Sequence, residues 1–161
     1  MQSEVAIVGV RKNIFMSVER ALYLRIDTTD SKPYLEGPSA SELVVMALMA
    51  GKEKGWYDLL SFVVMPKEVQ LLIVPRKLST KQIVEHLEGE VHPFLSALKW
   101  VPGPVFDPEL YQERIEMMED IRQRRRIMHN SPVKAGLAPA ASAYSFSTAN
   151  PRYQDVIEKI D

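Results

Sequence analysis

The feature that most narrows the fold is a pair of apolar runs meeting across a short polar break. Residues 56–65 are almost continuously apolar, the chain breaks at Met65-Pro66-Lys67-Glu68, and Val69-Gln70-Leu71-Leu72-Ile73-Val74 resumes before Pro75. Runs of this length and β-branched content read as strands, the first of them central in its sheet. A break this short leaves no room for a crossover, so the two runs predict an antiparallel hairpin.

Around that hairpin the remaining elements fall into order. A strand is predicted over residues 21–27, closed by the loop signal Thr28-Thr29-Asp30-Ser31-Lys32-Pro33, and residues 5–10 offer a further edge strand. Ser39 or Ser41 can cap a helix over residues 42–50 that ends near Gly51 and Gly55. Ser79 can cap a second helix, whose stripe Ile83, Val84 and Leu87 is interrupted at Gly89; Phe94, Leu95 and Leu98 form a short continuation. Residues 101–104 read as a loop. A long helix is expected over residues 108–128, with Leu110, Ile115, Met118 and Ile121 on one side, and beyond Pro132 the chain reads as an extended Ala-, Ser- and Pro-rich tail packed on the body. Strand, helix, strand, strand, helix describes a ferredoxin-like α+β sandwich: a small, mainly antiparallel sheet with helices packed on it. The expected organisation is one domain over residues 1–161, with residues 1–20 as an N-terminal extension or edge strand and residues 132–161 as the tail.

Composition limits the chemistry. A chain of 161 residues is long enough to bury a core unaided. It contains no cysteine, which excludes disulfides, zinc ribbons, iron–sulfur clusters and thiol nucleophiles. No apolar run approaches the roughly 18 residues of a spanning helix, and the N-terminus lacks a signal-peptide pattern, so a cytoplasmic protein without membrane contact is expected. The formal net charge of −1 hides a split: residues 1–120 carry 13 basic and 18 acidic side chains, residues 121–161 carry 7 and 3. On the expected long helix Glu109, Glu113, Glu116, Glu119 and Asp120 precede Arg122, Arg124, Arg125 and Arg126. That order complements the helix dipole and serves stability alone, or it builds a basic face for nucleic acid.

Three stretches carry a family resemblance. They are Phe62-Val63-Val64-Met65-Pro66-Lys67-Glu68-Val69-Gln70-Leu71-Leu72-Ile73, then His129-Asn130-Ser131-Pro132-Val133-Lys134-Ala135-Gly136-Leu137, then Tyr144-Ser145-Phe146-Ser147. In order and spacing the chain resembles the REP-associated tyrosine transposases among the single-tyrosine HUH transposases, over roughly residues 21–150, and Pro-Val-Lys-Ala-Gly-Leu is the most specific piece.

The resemblance implies a definite chemistry. Two histidines one residue apart on a strand share a face and, with a third polar ligand, hold a divalent cation; the cation polarises a phosphate for attack by a tyrosine, leaving a 5′-phosphotyrosine and a free 3′ hydroxyl. The histidines here are His86, His92 and His129, none on the motif strand. The matching positions hold Glu68 and Gln70, whose oxygens suit Mg²⁺ or Mn²⁺, or which form an ordinary polar pair on a sheet. Counting back from Ser131-Pro132-Val133, the nucleophile region falls near Tyr111, and Ile115, at the place of a third ligand, cannot coordinate. Tyr111 can equally anchor its element to the body.

The resemblance therefore implies a degenerate relative, catalytically impaired, that binds single-stranded or hairpin DNA and forms homodimers. Its DNA-binding residues are expected to be Arg122, Arg125, Arg126, His129, Asn130 and Lys134, with no acidic residue among them. The alternatives are an active metal-dependent tyrosine nuclease or strand transferase using Tyr111, Glu68 and Gln70, and a non-DNA interaction module that retains only the fold.

Overall fold

The hairpin forms around the predicted break. In the computed structural model, which describes residues 20–157 and 160, strand β2 (Tyr57–Met65) turns at Pro66-Lys67 into β3 (Glu68–Pro75), with Met65 opposite Glu68. The edge strand expected over residues 5–10 lies outside the described residues. Strand β1 (Ala21–Asp27) pairs with β3 on one side and with β4 (Tyr111–Ile115) on the other, giving an all-antiparallel sheet in the order β2-β3-β1-β4. Helix α1 (Pro38–Glu53) joins β1 to β2, and α2 (Thr80–Leu98) joins β3 to β4. This is the expected ferredoxin-like arrangement, with one further helix, α3 (Met118–Lys134), after β4.

Side chains of period two sort the strands into two faces. Leu24, Ile26, Phe62, Val64, Val69, Leu71 and Ile73 pack against α1 and α2 through Val44, Leu48, Ile83, Leu87, Val91 and Leu95. On the other face Ala21, Tyr23, Val63, Leu72 and Ile115 meet Ile121 and Met128 of α3. A bulge at residues 59–61 shifts the β2 register by one. As a result Leu60 joins the α3-side core and Ser61 points to the same side, where it bonds a residue of α3.

Several boundaries differ from expectation. Helix α1 starts earlier, with Gly37 (φ 96°) as N-cap and Pro38 at the first turn, and neither Ser39 nor Ser41 caps it. Ser41 is buried and its hydroxyl donates to the Leu35 carbonyl at 2.9 Å. Ser79 does cap α2, in a reciprocal box with Gln82, but the helix runs uninterrupted through Gly89 and Pro93 because Val91 and Leu95 bury the same stripe that Ile83 and Leu87 begin.

The helix expected over residues 108–128 does not exist as one element. Residues 111–115 form β4, with Tyr111 opposite Arg25 and Ile115 opposite Ala21, and α3 begins only at Met118. At the other end α3 continues through the buried Pro132 to Lys134, so the tail starts later than residue 132. That tail lies along the outer edge of β2: Val64 N–H donates to the Phe146 carbonyl at 2.8 Å, Thr148 N–H to the Phe62 carbonyl at 3.1 Å, and the Tyr144 hydroxyl to the Val64 carbonyl at 2.6 Å. An edge that would otherwise be open is covered there.

A tight contact joins α1 to β2. The buried Tyr57 hydroxyl donates to the Leu48 carbonyl at 2.6 Å, and a Cβ placed on Gly51 would overlap the Tyr57 phenol ring. Gly51→Ala should therefore destabilise the fold by about 1–3 kcal/mol, the usual cost of overpacking a closed core. Urea denaturation checks this, and an unchanged midpoint would show that the ring moves aside freely.

Candidate nucleic-acid interface

Helix α3 is fixed to the sheet by its histidine. The His129 Nε2 atom lies 2.9 Å from the Ser61 hydroxyl of the bulge and 2.7 Å from the Thr148 hydroxyl of the tail, and those hydroxyls are 2.8 Å apart. Ser61 and Thr148 are buried, so the imidazole joins three chain segments inside the protein. Burial, with Arg125 nearby, pulls the His129 pKa down to about 4, and the ring is neutral at ordinary pH. This geometry commits the Nε2 atom of His129, expected to reach DNA, to the interior.

On the face of the sheet covered by α3, one row collects the polar groups, and it meets the helix at Ser131 in its last turn. The register sets Gln70 of β3 opposite Arg25 of β1, and Arg25 opposite Tyr111 of β4; one step along, Glu68 stands opposite Asp27. All five belong to the α3 side. The Tyr23 hydroxyl donates to Gln70 Oε1 at 3.1 Å, while Gln70 Nε2 donates to Glu68 at 2.8 Å and to the Ser131 hydroxyl at 3.2 Å. A carboxylate accepts only, which fixes the amide orientation: its nitrogen faces Glu68 and its oxygen faces Tyr23. Burial pushes the Glu68 carboxyl above its ordinary range; the hydrogen bond from Gln70 opposes that rise and the neighbouring Asp27 adds to it.

These donors do not fit Mg²⁺ or Mn²⁺. Such ions require several convergent oxygens. The Gln70 oxygen is already bonded to Tyr23, its nitrogen stands where a ligand oxygen would face Glu68, and no group of three or more His, Asp or Glu among the described residues could hold a metal ion.

Tyr111 stands on an edge strand, 44% exposed, rather than on a helix. Its hydroxyl donates to Glu113 at 2.9 Å, and that carboxylate holds the phenol above its ordinary pKa, the wrong direction for a nucleophile. Helix α3, whose last turn carries the start of the Pro-Val-Lys-Ala-Gly-Leu string, contains no tyrosine. Arg124 leaves the basic series and turns inward, 2.5 Å from Glu113 and with its guanidinium carbon 4.4 Å from the Tyr23 ring centroid.

The remaining cations separate into two groups. Arg122 is held by the Ile160 carbonyl at 3.3 Å and by Glu119 at 3.9 Å, and Arg125 is half-buried. Arg126, Asn130 and Lys134 are exposed at i, i+4 and i+8, so they share one edge of α3 and line a shallow depression with Ile127, His129 and Ala141. Of the six residues expected to meet DNA, Arg126, Asn130 and Lys134 thus stand exposed together on one edge of α3.

Sequence reasoning passed over Tyr23, Arg25, Asp27, Glu113 and Ser131. The signal for the first three was present: in Ala-Leu-Tyr-Leu-Arg-Ile-Asp the polar side chains recur at alternate positions, and on a strand they line one face.

Comparison with known proteins places this geometry on a known fold. No protein-family model matches the sequence, and no curated protein does. Among solved structures the chain is similar to a REP-associated tyrosine transposase bound to a REP hairpin, with a TM-score of 0.68 at 14% identity, covering 89% of this chain and 84% of that one. A candidate transposase from Deinococcus radiodurans R1 aligns with a TM-score of 0.48 at 17% identity over 66% of this chain and 87% of that one. The fold expected from the sequence is therefore found in a transposase.

The neutral His129 makes stability depend on pH. Its folded pKa lies below the unfolded value of about 6.5, so its contribution is complete above that value and is lost as pH falls toward about 4. The loss should reach about 3 kcal/mol by pH 4. Urea titrations at pH 7, 5.5 and 4 should show the decline, and His129→Gln should be less stable at pH 7 yet flatter across the range; parallel curves for the two proteins would contradict the assignment.

Proposed function

We propose that the chain is a transposase-like protein that binds single-stranded or hairpin DNA through the exposed edge of α3 and does not carry out tyrosine-mediated strand transfer. The observation that carries this reading is the division of labour on α3. Its inward residues His129 and Arg124 are bonded to the body, while Arg126, Asn130 and Lys134 face solvent together. Two cations about two helical turns, or about 12 Å, apart suit two non-adjacent phosphates of one strand, with the amide between them placed for a base edge. The likeness to a transposase bound to a REP hairpin supports the same ligand class.

A second reading, an active nuclease, has one observation in its favour: Glu113 is hydrogen-bonded to the Tyr111 hydroxyl and is a candidate base. No group of three or more His, Asp or Glu among the described residues could hold the cation it needs, and the same bond lowers the acidity of the phenol.

Fluorescence anisotropy with a labelled stem-loop across salt concentrations tests the first reading. The double variant Arg126→Ala, Lys134→Ala should bind roughly tenfold more weakly and show a salt slope smaller by about 1.5, the loss of two phosphate contacts. Affinity and slope equal to wild type would remove the α3 edge from the interface. Incubation of labelled single-stranded DNA with Mg²⁺ or Mn²⁺ should give no covalent adduct; an adduct abolished by Tyr111→Phe would establish the second reading instead.

A further inference from the structure

We propose that Arg25 of β1, rather than a bound metal ion, presents the positive charge of this sheet face to a DNA phosphate, so that binding by this protein is independent of divalent cations. The inference rests on the DNA-binding reading above.

The position is the first argument. Arg25 is opposite Gln70 on one side and Tyr111 on the other, so its guanidinium stands between the strand that carries Glu68 and the strand that carries the exposed tyrosine. Gln70 and Glu68 have turned their polar atoms toward each other, Tyr23 and Ser131, which leaves Arg25 as the group of the row that reaches solvent with a positive charge. Its side chain is 42% exposed.

Geometry is the second argument. The Arg25 Nε donates to Asp27 at 3.2 Å, and the guanidinium carbon lies 5.2 Å from the Tyr111 ring centroid. Contact with the ring and the Nε bond hold the planar group in one orientation. Its two Nη groups make no hydrogen bond to a described residue and provide the fork that matches two oxygens of a phosphodiester. Arg124, which α3 brings to this face, is taken up by Glu113 and Tyr23.

Asp27 gives the inference a sign that a metal site would reverse. The carboxylate orients Arg25 but repels a phosphate, since it is itself 42% exposed on the same rim. If a cation were held at this face, Asp27 and Glu68 would be its carboxylates, and removing the Asp27 charge would weaken binding in Mg²⁺. If Arg25 does the work, removing that charge strengthens binding with or without metal.

The test is stem-loop anisotropy with the full-length chain in EDTA and in Mg²⁺ or Mn²⁺, on wild type, Arg25→Gln, Arg25→Lys and Asp27→Asn, each checked for an unchanged melting temperature. The expected result is equal wild-type affinity in all three buffers. Arg25→Gln should lose about three- to tenfold with a salt slope smaller by about 0.7–0.9. Arg25→Lys should recover part of the loss, and Asp27→Asn should gain two- to fivefold. DNA binding that needs Mg²⁺ or Mn²⁺, or that weakens in Asp27→Asn, overturns the inference, as does full affinity in Arg25→Gln, while each leaves the DNA-binding reading standing. No stem-loop binding by wild type overturns that reading and this inference with it.

Discussion

The seating of α3 across one face of the sheet decides what every polar group nearby can do. Ile121 and Met128 bury against Leu72, Val63 and Ile115, but apolar contacts alone leave the helix free to slide. The His129 bonds to Ser61 and Thr148 fix both its rotation and its position along the sheet. They depend in turn on the β2 bulge, which directs Ser61 to this side, and on the tail, which brings Thr148. With α3 held there, Ser131 meets Gln70, Arg124 meets Tyr23 and Glu113, and Arg126, Asn130 and Lys134 are left outside.

The same seating explains why the row of Glu68, Gln70 and Tyr111 lacks the arrangement expected of a metal-dependent site. Gln70 is bonded at both its oxygen and its nitrogen, and Glu68 accepts from it, so these hydrogen bonds satisfy groups that would otherwise be costly to bury, while the exposed Tyr111 hydroxyl is bonded to Glu113. A polar network of this kind stabilises the folded chain, and a metal ion would have to displace Tyr23 from Gln70 to enter. What remains available for an anionic ligand is charge on the rim: Arg25 at the β1–β4 side and the α3 stripe at the other.

Much of the scaffold was legible because it depends on local chemistry. The Pro66-Lys67 break specified the hairpin, and Ser79 specified the start of α2, where the structure adds Gln82 to the cap. Strand β4 was not legible, since Tyr-Gln-Glu-Arg-Ile is an exposed edge whose charges imitate a helix and whose pairing comes from β1, far away in sequence. Residues 116–117 end that strand without glycine or proline, so nothing local marked the start of α3. Of the site, Arg126, Asn130 and Lys134 were readable as part of one stretch without acidic residues, but the expected helix stopped at residue 128, so their common edge on α3 was not. The inward turns of His129 and Arg124 were not, because they require knowing that Ser61, Thr148 and Glu113 come within reach.

The central claim is that DNA meets this protein along α3 and the neighbouring rim of the sheet, without a metal ion. An NMR titration of the ¹⁵N-labelled chain with a stem-loop DNA in EDTA tests it most directly. The account predicts shifts that saturate together in the backbone amides of Arg126, Asn130 and Lys134 and in the Arg25 Nε–H. Shifts confined to α1 and α2 on the opposite layer, or the absence of shifts until Mg²⁺ is added, would contradict it.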